Sequence, residues 1–198
     1  STVVLLDGVR IGSATLGQAA LEALGLGAIE RIEVLRGPGS SLYGADAVGG
    51  VVQVFTRRGQ RGAPRMQASV HAGRYGSSEV QGSASGVVGD FDLALSASRE
   101  ASDGVSAVAN PADAFGRYNP DTDGFSRGSV SAQLGYAITP LQRIGLRLLD
   151  TRLRSQYDAA VFLPPDFLPD PSPDFRNRLN TKLAALSHSA TFGAGWRS

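Results

Sequence analysis

Asp121 and Asp123, one residue apart and followed by Gly124 and Phe125, carry the most pointed chemistry in this 198-residue sequence. Carboxylates on a flexible backbone are hard oxygen donors, and Ca2+ takes six to eight such oxygens. The same spacing also serves loops that use aspartate for turns and caps. In glycosyltransferases an Asp-x-Asp pair holds a metal-bound sugar nucleotide, but that use needs a nucleotide-binding α/β domain around it. On the motif alone, the metal loop and the plain turn both stand.

Other catalytic groupings are missing from the sequence. There is no cysteine, so neither a disulfide framework nor a thiolate nucleophile or metal site is available. No Gly-x-Ser-x-Gly elbow, phosphate-cradling loop or His-Glu-x-x-His zinc motif occurs. Gly37-Pro38-Gly39 is followed by Leu42 where a phosphate loop needs glycine. His71 and His188 lie far apart on strand-like stretches and read as ordinary strand residues. No enzyme is expected.

The acids must be positioned by the elements around them, and these fall into two halves. Residues 1–62 mix element types. Val3–Leu6 is a short apolar strand ending in Asp7-Gly8, and Gln18–Leu24 has helix-favouring composition stopped by Gly25 and Gly27. Ile29–Leu35 and Val48–Thr56 read as two more strands. From about Met66 the pattern becomes period two. Phe91, Leu93, Leu95 and Ala97 alternate with Asp92, Ala94 and Ser96; 130–138 and 143–149 alternate likewise, and 67–75, 78–88 and 179–192 do so more weakly.

Tight connections at 76–77, 89–90 and 140–141 contrast with long stretches rich in Pro, Asp and Asn at 102–124 and 157–177. Short turns at one end (89–90 and 140–141) and long loops at the other is the layout of an antiparallel outer-membrane barrel, with 76–77 a short hairpin on the long-loop side. A soluble β-sandwich or meander alternates too. A mean hydropathy of −0.06 fits a barrel whose strands average lipid-facing and lumen-facing positions. No apolar run approaches the roughly 20 residues of a membrane helix. Nineteen basic against eighteen acidic residues argue against nucleic acid as a partner. The fold expected is a mixed α/β portion over 1–62 followed by about six antiparallel barrel strands over 63–198, an incomplete all-β barrel. Both ends are expected to continue into a longer protein.

The segment LRGPGSSLYGADAVGGVVQVFT, residues 35–56, is the most specific in the chain. Its glycines and Pro38 demand backbone positions that other residues adopt only with strain. The order Arg36-Gly37-Pro38, Leu42-Tyr43-Gly44 and Gly49-Gly50-Val51-Val52, together with Leu6-Asp7-Gly8-Val9, closely resembles the plug-domain signature of TonB-dependent outer-membrane receptors. Gln53 departs from the asparagine usual in that pattern, lengthening the amide's reach. Arg31, Glu33 and Arg36 are expected to pair within the plug or with the barrel wall.

The resemblance implies an outer-membrane location, lipid around the barrel, a 22-stranded plugged barrel and coupling to the TonB complex. Within the family the chain most resembles cobalamin (vitamin B12) receptors, which bind calcium through acidic loops over the substrate. By that resemblance the calcium ligands are Asp103, Asp121, Asp123, Tyr157, Asp158 and Asp174. Substrate contacts fall on the apical plug loop, at Ser13, Thr15, Leu16 and Gln18. The partner implied is cobalamin or another metal-chelate ligand. A siderophore receptor of the same family is the nearest alternative, and a soluble calcium-binding β-module recognising carbohydrate or protein is the alternative of another class.

Overall fold

The structure is a computed structural model that describes residues 2–12, 24–59, 62–192 and 196–197. Two sheets make up most of it. The first contains β1 (Thr2–Leu6), β2 (Val9–Ile11), β3 (Ile29–Arg36) and β4 (Gly50–Thr56), in the order β2-β1-β4-β3. β1 and β2 form a hairpin through Asp7 and Gly8, both in the left-handed region at φ 49° and 85°. β1 pairs parallel with β4 while β3 pairs antiparallel with it, so the sheet is mixed. The α-helix among the described residues, α1 (Ser40–Tyr43), is a single turn between β3 and β4. The expected helix over Gln18–Leu24 lies, apart from Leu24, outside the described residues. The strand expected from Val48 starts at Gly50 instead, and Val48 is exposed in the preceding turn.

Gly50 explains that late start. Its φ is +144°, and a Cβ there would stand 2.5 Å from the Leu35 carbonyl oxygen on β3. Only glycine lets β3 and β4 close at this point. Gly50→Ala is expected to cost about 3 kcal/mol, read as increased trypsin cleavage of the 35–56 segment in urea. Unchanged cleavage would show that the strands can part without penalty.

The second sheet holds β5 (Arg65–Ala72), β6 (Ser78–Val88), β7 (Phe91–Val105), β8 (Asp123–Thr139), β9 (Gln142–Tyr157), β12 (Phe175–Phe192) and β13 (Trp196–Arg197). It is an open antiparallel meander in chain order, β5 to β9, then β12 and β13. A two-residue hairpin, β10 (Val161–Phe162) with β11 (Pro169–Asp170), lies inside the long connection before β12. The long strands run further toward the loop end than the alternation indicated. β7 reaches Val105, β8 begins at Asp123 and β9 extends to Tyr157, so the connections narrow to 106–122 and 158–174. Ladder pairing carried the strands past the point where apolar alternation fades, because backbone hydrogen bonds do not depend on side-chain polarity.

The period-two faces fall as expected. Phe91, Leu93 and Leu95 are exposed on one side, whereas Asp92 and Ala94 are buried on the other. In β9, Ile144, Leu146 and Leu148 face outward while Leu149, Thr151 and Leu153 are buried. The buried side of this wall faces the small sheet. Leu149 packs with Leu6, Leu24 and Val54, and Leu183 of β12 adds to the cluster. The small sheet has a second apolar cluster of Val3, Leu5, Ala47 and Val51 against Tyr43.

Candidate functional site

Two polar constellations stand out, one between the sheets and one at the loop end of the wall. The first centres on Asp7, whose side chain is 1% exposed. Its carboxylate accepts from the Thr56 amide (3.1 Å) and hydroxyl (2.5 Å), tying the β1–β2 hairpin to the end of β4. Arg147 reaches across from β9, with Nε 3.6 Å from the Asp7 carboxylate and an Nη1–H donating to the Asp7 carbonyl at 3.3 Å. Gln133 of β8 completes the link. With its amide oriented to suit its neighbours, the oxygen accepts from Arg147 Nε (2.8 Å) and the nitrogen donates to the Arg57 carbonyl (3.2 Å). A cavity of about 270 Å3, lined by Asp7, Thr56, Gln133 and Arg147 among others, lies beside this link.

Sequence reading missed this interlock. Asp7 looked like a turn residue, and Gln133 and Arg147 like ordinary polar members of an alternating strand. Nothing in the residue order singled out Gln133 and Arg147, because the same inward face also carries Asp92, Glu100, Arg127 and Arg143, which pair among themselves. Arg31 and Glu33 do pair as expected, at 2.8 Å, with the Arg31 guanidinium 3.9 Å above the Phe55 ring.

The second constellation contains three carboxylates. Asp121, Asp123 and Asp158 offer oxygens that all lie within 4.8 Å of one another. Asp123 sits at the mouth of β8, Asp121 just before it, and Asp158 just beyond β9. Backbone donors fix two of them: Ala107 N–H donates to Asp123 (2.7 Å) and Val108 N–H to Asp158 (2.7 Å). The 106–108 backbone is thereby held against both acids. Ser106 Oγ lies 3.0 Å from the carbonyls of Val108 and Asn119 and 3.2 Å from Asp158 Oδ2. One hydroxyl proton serves only one of those three oxygens, so the site holds more acceptors than donors.

That surplus is what a hard cation satisfies. Calcium–oxygen bonds of roughly 2.4 Å place ligand oxygens up to about 4.8 Å apart across the ion, and the three carboxylates fall within that limit. Electrostatics agree. Burial pushes the Asp123 carboxyl above its ordinary value; the nearby charges of Asp158 and Asp121 push it the same way, and the Ala107 hydrogen bond offsets this only in part.

The other expected ligands sit around the cluster. Asp103 packs its carboxylate against Gly76 in the β5–β6 turn, and its amide donates to the Tyr75 carbonyl (2.9 Å). Asp174 is held by Arg176 (Nε 2.9 Å) and accepts from Gln156 (3.3 Å). Gln156 in turn accepts from the Gly124 amide (3.3 Å), so Asp174 connects to the cluster through one side chain. The Tyr157 ring lies against Phe175, at a centroid distance of 5.8 Å. Ser13, Thr15, Leu16 and Gln18 lie outside the described residues. His71 stands opposite Glu79 and His188 opposite Ile144 within their ladders.

Residues 1–51 match the family model described as the TonB-dependent receptor plug domain. A vitamin B12 transporter BtuB from Photobacterium profundum is 34% identical over 163 residues, covering 82% of this chain and 26% of that protein. A vitamin B12 transporter BtuB from Vibrio vulnificus is 41% identical over 118 residues, covering 58% of this chain and 19% of that protein. The chain thus spans about a quarter or less of these relatives.

Among solved structures, the ferric yersiniabactin uptake receptor FyuA of Yersinia pestis superposes on 97% of this chain and 30% of its own, at a TM-score of 0.72 and 22% identity. The ferripyoverdine receptor of the outer membrane of Pseudomonas aeruginosa covers 98% of this chain and 26% of its own, at a TM-score of 0.74 and 15% identity. At such identities these structures speak for the fold. They share the mixed plug sheet backed by antiparallel wall strands, and the plug model and the transporter relatives point the same way. The chain belongs to the TonB-dependent receptors of the outer membrane.

Proposed function

We propose that this receptor binds and imports cobalamin, with calcium ordering the loops over the substrate and the TonB complex driving transport through the plug. In this reading residues 1–62 are the C-terminal part of the plug and 63–198 the first barrel strands. The observation that carries it is the cluster of Asp121, Asp123 and Asp158, which brings carboxylates from two separate long loops to one point. An ion there joins 106–122 to 158–174 and preorganises a platform at the extracellular end, so substrate does not meet the ordering cost alone. Asp121, Asp123 and Asp158 form the heart of the ligand set, with Asp103, Tyr157 and Asp174 flanking it. Ser13, Thr15, Leu16 and Gln18 are the proposed plug contacts to substrate. The relatives named as vitamin B12 transporters, at 34% and 41% identity, favour the cobalt-containing ligand over a ferric chelate.

Equilibrium binding to the full-length receptor in detergent tests the assignment. Cobalamin is expected to bind saturably, and more tightly with calcium than with chelator. A receptor that binds a ferric siderophore while ignoring cobalamin would be reassigned to siderophore uptake. A protein that stays monodisperse without detergent would not be a membrane receptor at all.

A further inference from the structure

The outward face of the wall changes character abruptly along β9 and β12. In β9 the outward residues run Ile144, Leu146, Leu148, then Asp150, Arg152 and Arg154. Register places Arg178 of β12 directly opposite Arg154, and Lys182 opposite Asp150. Strand parity is unbroken through this pairing, so the arginines share the face that carries Leu146 and Leu148. Exposure agrees: Arg152 and Arg176 side chains are 68% and 61% accessible.

Charge on this patch is poorly compensated. Asp150 is shared between Arg152 (3.4 Å) and Lys182 (3.6 Å), and Asp174 is taken by Arg176. Among the described residues neither Arg154 nor Arg178 lies within ion-pair range of a carboxylate. Like charges directly opposite across a strand pair are destabilising, so the pair costs the fold something in the absence of an anion. A cavity of about 260 Å3 opens there, lined by Arg154, Arg176 and Arg178 with Ser126, Gln156 and Asn177.

Height along the barrel identifies the occupant. Arg152 and Arg154 lie roughly 7 and 14 Å along the strand beyond Asp150, and less in depth once a strand tilt of roughly 35–45° is projected out. The long-loop end faces outward, so this is the headgroup level of the outer leaflet, directly above the apolar rows. We infer that Arg154 and Arg178, with Arg152 and Arg176 beside them, form a binding site for the phosphate groups of an anionic outer-leaflet lipid. Guanidinium forks match phosphate oxygens in paired, charge-assisted hydrogen bonds. The lipid's acyl chains then lie along Leu146, Leu148 and Leu186, which are exposed below the patch. The phosphate neutralises the facing arginines that the protein leaves unpaired.

Native mass spectrometry of the full-length receptor tests this, using diphosphoryl lipid A, the same lipid with its phosphates removed, and inorganic phosphate. The wild type is expected to retain the diphosphoryl form in preference to the dephosphorylated one. Arg154→Gln/Arg178→Gln is expected to reduce that retention about tenfold, while Arg154→Lys/Arg178→Lys keeps most of it. The glutamine variant folds at least as well as wild type if the facing charges repel, which its melting temperature in detergent reports. Equal retention of the two lipid forms by the wild type would overturn the proposal, as would a preference unchanged in the glutamine variant. Displacement of the lipid by millimolar inorganic phosphate would make this a free-anion site instead.

Discussion

Asp7→Ala is expected to weaken the hold between plug and wall by about 3 to 5 kcal/mol, the usual cost of removing one member of a buried, hydrogen-bonded charge pair. The substitution orphans the Thr56 amide, leaves the Thr56 hydroxyl only the Gln133 amide as a partner, and leaves the Arg147 guanidinium at the interface without its carboxylate. Burial makes the effect large, since the two side chains are only 1% and 16% exposed. Trypsin sensitivity of the plug in the full-length receptor, followed against urea, measures it. Arg147→Ala alone should also destabilise, and the double variant should lose less than the sum, because the second change removes the stranded charge. Strict additivity would show that the two residues do not work as a pair. The anchor is a compact polar link beside a cavity, with Leu149 and Leu183 supplying apolar contact around it.

Loss of Asp123 and Asp158 together is expected to remove calcium binding by at least about a hundredfold, since the pair supplies two of the three clustered carboxylates. Calorimetric titration of calcium into the full-length receptor measures this directly, and saturable binding that survives the double substitution would sink the site. Acid gives a second, independent reading. The Asp123 carboxyl is raised by burial and by its acidic neighbours, so the native cluster binds more protons than the unfolded chain above the ordinary value of 3.8. Cation-free stability in these loops is therefore present at low pH and lost as pH rises through the raised native value. With calcium bound the dependence reverses, because protons compete with the ion.

Hydrogen exchange over 106–122 and 158–174 should accordingly show the cation-free loops gaining protection on mild acidification and the calcium-loaded loops losing it. Asp113 separates this effect from general acid loosening. Its carboxyl is lowered to about 2 by hydrogen bonds from Arg117, so its turn has its full contribution above the ordinary value of 3.8 and loses it progressively as the pH falls from there through about 2. Changes above the ordinary carboxyl value of 3.8 then belong to the cluster, and changes below it to the lowered carboxyls of Asp113, Asp170 and Asp174.

Much of this was legible in the chain. Alternation placed Phe91, Leu93 and Leu95 on one face and Asp92 and Ala94 on the other, because a strand's period of two is fixed by backbone geometry. The strand ends at Val105 and Tyr157 were harder to delimit, since at the loop end both faces are wet and hydropathy no longer alternates. Of the acids taken from family resemblance, Asp121, Asp123 and Asp158 converge, while Asp103 and Asp174 are held by neighbours that lie far away in sequence or carry competing charge.

Local chemistry determined the family and the elements on its own. Glycines with positive φ, a proline and β-branched runs constrain the backbone within a few residues, so the 35–56 signature and the period-two strands are written directly in the residue order. Only the tertiary structure decided which polar residues meet. Asp7 and Arg147 are brought together by a wall folding around a small sheet, and Arg154 faces Arg178 through strand register. Distance in space across a meander depends on every intervening turn and ladder, and no short stretch of sequence contains that sum.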